Sequence, residues 1–432
     1  MKDTNRTMIA VTGVVLLMTA SCGWAQDWPQ WRGANRDAKT TGFTAPKTWP
    51  KELTKKWKAT VGQADATPAL VGDKLYVFAR QGGEEVTLCL DATTGKEVWS
   101  DKFAVQGATG PAAQHAGPRS SPTVADGKVV TLGVRGTVTC FDAAQGKVLW
   151  RKDDFPGAWP RFFTASSPIV TGGLCIAQLG GSDNGGIVAY DLSTGDQKWK
   201  WTGNGPAYAS PALMTVDGTK LIIAETEKSI VALNAADGKL AWETPFAAQG
   251  MSYNAATPIV DGQTLIYCGQ GRGTKAVKIE KQGDSFAAKE LWSNPDNAVQ
   301  FNTPLLKNGM LVGISQRGDF FCINAQDGKT VWTAPSTPPA AAAEPPAEGG
   351  SGRGGRGGGR GRGGYGTVVD AGSVLLALSP SSELIAFQSG EKAYTELARI
   401  KVADTPTYAY PVVSGKRIFI EDQDSVTLWT ID

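Results

Sequence analysis

The chain is short of the residues from which most metal and hydrolytic sites are built. It has one histidine, His115, in 432 residues, which leaves a zinc or haem site little to bind with. Its six cysteines include no Cys-x-x-Cys and no adjacent pair. Five of them follow Ala25, and that odd number argues against a complete disulfide framework. No serine or cysteine nucleophile motif accompanies His115. No catalytic residue and no metal ligand is therefore assigned. Membrane-spanning runs are missing too. The apolar run from Met8 to Ala20 is too short to cross a bilayer, and no other segment could. With Lys2 and Arg6 before it and Gly23-Trp-Ala25 after it, that run reads as an export signal over residues 1–25. The mature chain is then periplasmic or extracellular. Thr-Ala-Ser-Cys22 is a rival processing site that would make it a lipoprotein. Charge of one sign is also lacking. The net charge is +2, less than the charge that Arg353, Arg356, Arg360 and Arg362 of one Gly/Arg stretch bring to it. The rest is close to neutral, which gives no electrostatic case for nucleic acid.

What the chain has is repetition. Asp91-Ala-Thr-Thr-Gly95-Lys-Glu-Val-Trp99 and Asp142-Ala-Ala-Gln-Gly146-Lys-Val-Leu-Trp150 are its cleanest copies, and Asp191–Trp199, Asn234–Trp242 and Asn324–Trp332 follow the same plan. A further copy at Trp292 keeps the indole and loses the turn. Tryptophans 57, 99, 150, 199, 242, 292 and 332 lie 42, 51, 49, 43, 50 and 40 residues apart, the period of a four-stranded propeller blade. Residues 120–150 show the whole unit. Short β-branched strands are separated by Asp126-Gly127, Arg135-Gly136 and the Asp142–Gly146 turn. Proline marks the start of each first strand at 68, 122, 168, 211, 258, 304 and 411, where no ladder donor is needed. Asp91, Asp142 and Asp191 read as turn caps before a positive-φ glycine rather than as an acid site. Cys89, Cys140 and Cys322 stand where Ala189 and Ala232 stand in other copies, so they read as small core residues.

The ends decide the count. Leu53-Thr-Lys-Lys-Trp57 is a fourth strand without three before it, and 407–432 holds three strands without a fourth. Joining them closes a ring and removes an exposed edge. Residues 367–400 supply a degenerate blade with Leu397 near the tryptophan position. The fold expected is all-β, an eight-bladed propeller, with seven blades as the alternative if 367–400 is not one. The expected organisation is a signal over 1–25, an extension over 26–52, and one propeller domain over 53–432. Within that domain, 335–366 is a Pro/Ala and Gly/Arg insert, expected to be disordered.

Tight turns occupy one face and long blade-to-blade crossings the other, and binding on rigid scaffolds concentrates in such loops. Residues just before the first strands ring that mouth: Arg119, Phe163, Tyr208, Tyr253 and Asn254, then Phe301, Asn302 and Tyr408. His115 lies in the first long crossing. Arg317 lies in a second-to-third turn on the same side, as do Arg135, Arg272 and Gln316. Aromatics with amides and arginines suit a flat polar ligand or a peptide. The competing reading is that the rings cap the core and the arginines are solvated.

The Asp-Ala-x-Thr-Gly-Lys-x-x-Trp phrase resembles the tryptophan-docking repeat of pyrroloquinoline quinone (PQQ)-type propellers. Asp-Trp28-Pro-Gln-Trp31-Arg-Gly, Gly117-Pro-Arg119-Ser-Ser-Pro122, Tyr208-Ala-Ser-Pro211 and Asn254-Ala-Ala-Thr-Pro258 resemble that family's hallmarks. The resemblance implies eight blades and leaves two functional classes. Quinoprotein dehydrogenases oxidise an alcohol or sugar with PQQ and calcium, under an adjacent-cysteine disulfide that this chain does not have. Compact members, such as the propeller subunit of the outer-membrane barrel assembly machine, bind proteins. The leading expectation is a monomeric, non-catalytic scaffold with a protein or small-ligand partner on its loop-rich face. The alternative is a PQQ-dependent dehydrogenase with its cofactor at the central mouth near Arg119, Asn254 and Asn302. An Arg/Gly loop that binds nucleic acid is a third idea.

Overall fold

The computed structural model describes residues 27–431 apart from 251, 284, 337–364 and 391. The signal, Cys22 and most of the Gly/Arg insert lie outside the described residues. Eight four-stranded antiparallel sheets form the ring. Seven are consecutive in sequence, over 69–104, 123–152, 169–201, 212–245, 259–294, 305–334 and 367–401. The eighth joins Val412–Ser414, Arg417–Glu421 and Ser425–Thr430 to Thr54–Thr60 from the other end of the chain. Trp57 sits opposite Leu428, and Thr60 opposite Ser425. The termini thus zip together, and the ring has no open edge at its seam.

Each indole secures the following blade. Trp57, Trp99, Trp150, Trp199 and Trp292 donate their Nε1–H to the carbonyls of Ala92, Ala143, Leu192, Ala235 and Ala325, at 2.8–3.2 Å. Their rings lie flat on the turn glycines 95, 146, 195, 238 and 328, where an added Cβ would come within 2.4–2.7 Å. The aspartates cap those same turns: Asp91 Oδ1 accepts from the Thr93 and Thr94 amides, and Asp142 Oδ1 from those of Ala144 and Gln145. Trp332 bonds the Gly390 carbonyl instead. Trp242 and Phe286 pack against the same buried cluster, where the outer hairpin of blade five is lengthened to Gly273–Asn294 and the short turn is lost.

In blade seven the tryptophan position falls one residue past Leu397. Ala398, not Leu397, holds the tryptophan position, because it pairs with Ala386 as Trp99 pairs with Cys89. Leu397 is the bulged residue beside it, equivalent to Val98, and points outward like Val98. Loss of the indole here has a physical reason. The eighth blade takes its last two strands from opposite chain ends, so no hairpin turn exists for an indole to cover.

The Ser/Thr-Pro positions do more than start strands. The Ser167 hydroxyl accepts from the Ser121 amide, and Ser210 from Ser167, both at 2.9 Å. The same bond joins Thr67 to Ser121, Ser210 to Thr257 and Thr257 to Thr303. The Tyr410 amide reaches Thr67 Oγ1 and carries the chain of bonds across the seam. Every partner is buried. Ser167→Ala would strand the Ser121 amide and should lower unfolding free energy by about 1–3 kcal/mol in a urea titration.

The N-terminal extension crosses the inner strands at the centre of the ring. Trp28 exchanges backbone bonds with Leu70, the Pro29 carbonyl accepts from Val124, and Thr40 Oγ1 donates to Val413. Arg32 reaches the Pro304 carbonyl, and Arg36 those of Ser167 and Pro168. Trp28 and Arg32 are almost wholly buried. Desolvation, then the charge of Arg32, pulls the Arg36 guanidinium down to about 9.

Candidate functional site

The loop-rich face opens on a cavity of about 370 Å³ on the propeller axis, with Trp31 among its lining residues. Its wall follows a simple rule. The residue two before each ring hydroxyl, or before its counterparts Thr367 and Tyr410, lines the cavity: Asp65, Arg119, Ala165 and Tyr208 in the first four blades. Ala255, Phe301, Tyr365 and Tyr408 complete the circle. Where that position is alanine, a ring from slightly earlier in the crossing fills the space, Phe162 in one blade and Tyr253 in the other.

The rings form a continuous collar. Tyr408 meets Tyr365 at 5.2 Å, Tyr365 stacks on Phe301 at 4.4 Å, and Phe301 stacks on Tyr253 at 6.0 Å. Tyr253 meets Phe162 edge-on at 4.9 Å, and Tyr208 stands against both. His115 closes on Tyr408 at 5.0 Å. Arg119 joins the two ends, donating to the Phe162 carbonyl and, at 3.2 Å, to the His115 carbonyl. Burial lowers the Arg119 pKa, opposed by the charge of Asp65 and by Tyr208 and Tyr365. His115 Nδ1 lies 2.6 Å from Asp65 Oδ2. Such a contact orients an imidazole, and among the described residues the cavity wall places no cysteine or lysine beside it.

Of the predicted residues, His115, Arg119, Tyr208, Tyr253, Phe301, Asn302 and Tyr408 line the cavity. The structure moves three away. Phe163 turns outward at φ 65° and stacks on Trp159 at 5.5 Å, leaving Phe162 at the mouth. Asn254 is buried as a loop strut, its amide donating to the Thr226 and Phe246 carbonyls. Arg317 is exposed on its turn and stands off the cavity. Arg135 and Arg272 are taken up by Trp159 and Phe246, with the guanidinium carbons 4.3 and 4.0 Å from the ring centroids. Sequence reasoning missed Trp31, Asp65, Phe162, Tyr365 and Tyr410. Tyr365 and Ser336 fall within the insert expected over 335–366, yet Tyr365 stacks in the collar and the Ser336 carbonyl accepts from Arg399. The two-before-Ser/Thr spacing would have found Asp65, and Tyr365 as well once blade seven was aligned.

Calcium with PQQ does not suit this donor set. Among the described residues Asp65 is the single carboxylate on the cavity wall, and one of its oxygens already meets His115, whereas calcium takes six to eight oxygen ligands.

Glu85, Glu225 and Glu421 are buried glutamates whose carboxyls are raised by desolvation. Desolvation pushes Glu85 up to about 7, against a bond from the Val134 amide and nearby arginines. Desolvation also raises Glu225, opposed by Arg272, and Glu421, helped by the charges of Asp65 and Asp422, each well above the usual carboxylate range. Groups raised on folding bind more protons in the native state. Their stability is fully present below about 4.5 and is lost as pH climbs through the folded values. For Glu85 alone, the rise from 4.5 to about 7 corresponds to about 3 kcal/mol. Thermal midpoints should fall from pH 5 to pH 8, and Glu421→Gln should flatten that fall; an unchanged slope would count against these assignments.

Fold and cavity together define a PQQ-like propeller with an aromatic mouth. A family model described as outer membrane protein assembly factor BamB matches residues 46–182 and 83–334, and the chain belongs to that family. Among its relatives, BamB of Burkholderia pseudomallei is 28% identical over 251 residues, covering 55% of this chain and 58% of that protein. Quinohemoprotein alcohol dehydrogenase ADH IIB of Pseudomonas putida is 34% identical over 190 residues, 40% of this chain and 25% of the enzyme. The chain thus spans little over half the length of the first and a quarter of the second. The crystal structure of BamB from Moraxella catarrhalis superposes with a TM-score of 0.61 at 14% identity, over 88% of this chain and 100% of that one. Quinohemoprotein alcohol dehydrogenase from Comamonas testosteroni gives 0.67 at 14% identity, over 94% and 80%. These likenesses establish the fold. No helix among the described residues is long and apolar enough to cross a membrane.

Proposed function

We propose that this protein is an exported, monomeric, non-catalytic propeller that binds a partner protein through its loop-rich face and serves outer-membrane protein assembly, as the names of its BamB relatives describe for them. The aromatic collar is the observation that carries the reading: rings from six crossings converge on one mouth. Aromatic anchors set in a rigid frame are what protein-binding surfaces concentrate. Export runs through residues 1–25, and intact-mass measurement of the exported form distinguishes cleavage after Ala25 from lipid attachment at Cys22.

Site-specific photocrosslinkers test the reading. Placed at Tyr253 or Phe301, they should capture an outer-membrane assembly protein in cells. Placed at Thr93 or Thr194, on the opposite turns, they should not. Capture from the turns alone would overturn the proposal, as would alcohol oxidation by protein loaded with PQQ and calcium.

A further inference from the structure

The hydroxyl ring is only half used by the protein. Thr67, Ser121, Ser167, Ser210, Thr257 and Thr303 each accept one backbone N–H from a neighbouring blade. Among the described residues, none of these six hydroxyls donates its own proton to a protein acceptor. Five of the six line the axial cavity, all but Ser167. Thr367 lines it as well, 5% exposed, and its Oγ1 has no partner among the described residues. A hydroxyl that accepts from a peptide N–H and has no acceptor of its own is a buried donor awaiting one.

The local charge fits an acceptor that is negative. Arg32 and Arg36 lie next to Trp31, with their guanidinium carbons 5.5 and 5.7 Å from its ring centroid. Neither meets a carboxylate; both are held by backbone carbonyls, Arg36 also by the Gln30 side-chain oxygen. Arg119 adds a third positive group on the wall. Against them stands Asp65, whose Oδ2 faces His115. Hydroxyl donors on the cavity wall, with the Arg119 guanidinium beside them, match what a carboxylate needs, and the collar above offers ring faces and edges to the group that bears it.

We propose that the ring of Ser and Thr hydroxyls receives the C-terminal carboxylate of a partner polypeptide, with the terminal side chain held against the aromatic collar. This rests on the protein-binding reading and specifies the end of the partner that enters. Capture of a chain terminus by converging donors is a recurrent mode of peptide recognition, and the cavity is of the size that holds small ligands and terminal residues.

Fluorescence anisotropy on the mature, full-length protein tests it with a labelled peptide of about ten residues ending in Phe, compared with the same peptide as its C-terminal amide. The free acid should bind about tenfold or more tightly than the amide. Thr303→Val should erase that preference and Thr303→Ser should restore it. If Thr303→Val fails to fold, the ratio of acid to amide in the unaltered protein decides alone. Equal binding of acid and amide, or binding of neither, overturns the proposal. So does full competition by benzoate at the peptide's own concentration, which would assign the subsite to small aromatic acids. Photocrosslinks from Tyr253 report separately on the parent reading. If they persist while the acid shows no preference, the scaffold still binds protein and only the carboxylate assignment fails.

Discussion

Trp150→Ala should destabilise the propeller by about 3–5 kcal/mol, measured by chemical denaturation. The side chain is 7% exposed, packs among the buried residues shared by blades two and three, and donates to the Leu192 carbonyl at 3.0 Å. Alanine would leave a cavity at the seam, and the Leu192 carbonyl would lose its indole donor. The same contact can be attacked from its other side. Gly195 has φ 75°, and a Cβ there would sit 2.7 Å from Trp150 Cγ. Gly195→Ala should therefore cost at least ~1 kcal/mol from backbone strain alone, with the indole displaced in addition. If the two changes are combined, their effects should fall short of the sum, because both remove one contact. A loss under ~1 kcal/mol for Trp150→Ala would mean that the indoles decorate the seams rather than hold them.

A chain stopped after Gln423 should lose at least ~5 kcal/mol and the near-ultraviolet dichroism of packed aromatics. The missing segment, Ser425–Thr430, lies between Thr54–Thr60 and Arg417–Glu421 and pairs with both. Its removal exposes two strand edges and takes Val426 and Leu428 out of a core where each is at most 3% exposed. It also releases the strand that carries Trp57, whose Nε1 bonds the Ala92 carbonyl of blade one. One cut thus loosens blade eight and its neighbour. A truncated protein with unchanged stability would show that the ring does not depend on its seam.

The fold was legible because its signals are local. Asp91 caps its own turn within three residues, Gly95 supplies the positive φ, and Trp99 follows four residues on. Each copy states the same instruction, so repetition corrects for a damaged one. Blade five lost its turn and blade seven its indole, yet both formed from strand pattern and from neighbours on either side. Proline before each first strand was read correctly as a strand start in the seven blades that have it. The serine or threonine before it carried more than the reading took from it. Its bond runs to an amide about 45 residues away, and only adjacency of blades reveals that.

The mouth was half legible. Tyr208, Phe301 and Tyr408 occupy the same place in their blades, so alignment of the repeats found them. Phe162 and Phe163 differ by one residue, and which of them faces the axis depends on a left-handed turn at 163 that no propensity specifies. Tyr365 follows a Gly/Arg stretch and looked like part of it.

By itself the sequence determined the blade, which follows from turn chemistry and strand alternation within a few tens of residues, and it favoured eight blades over seven with closure by the N-terminal strand. The tertiary structure alone decided the collar, the hydroxyl ring and the placing of the Trp31 segment at the axis. Those features are sums over crossings far apart in the chain. Side chains there converge because closure of the ring brings eight blades to one axis, and no local pattern encodes that convergence.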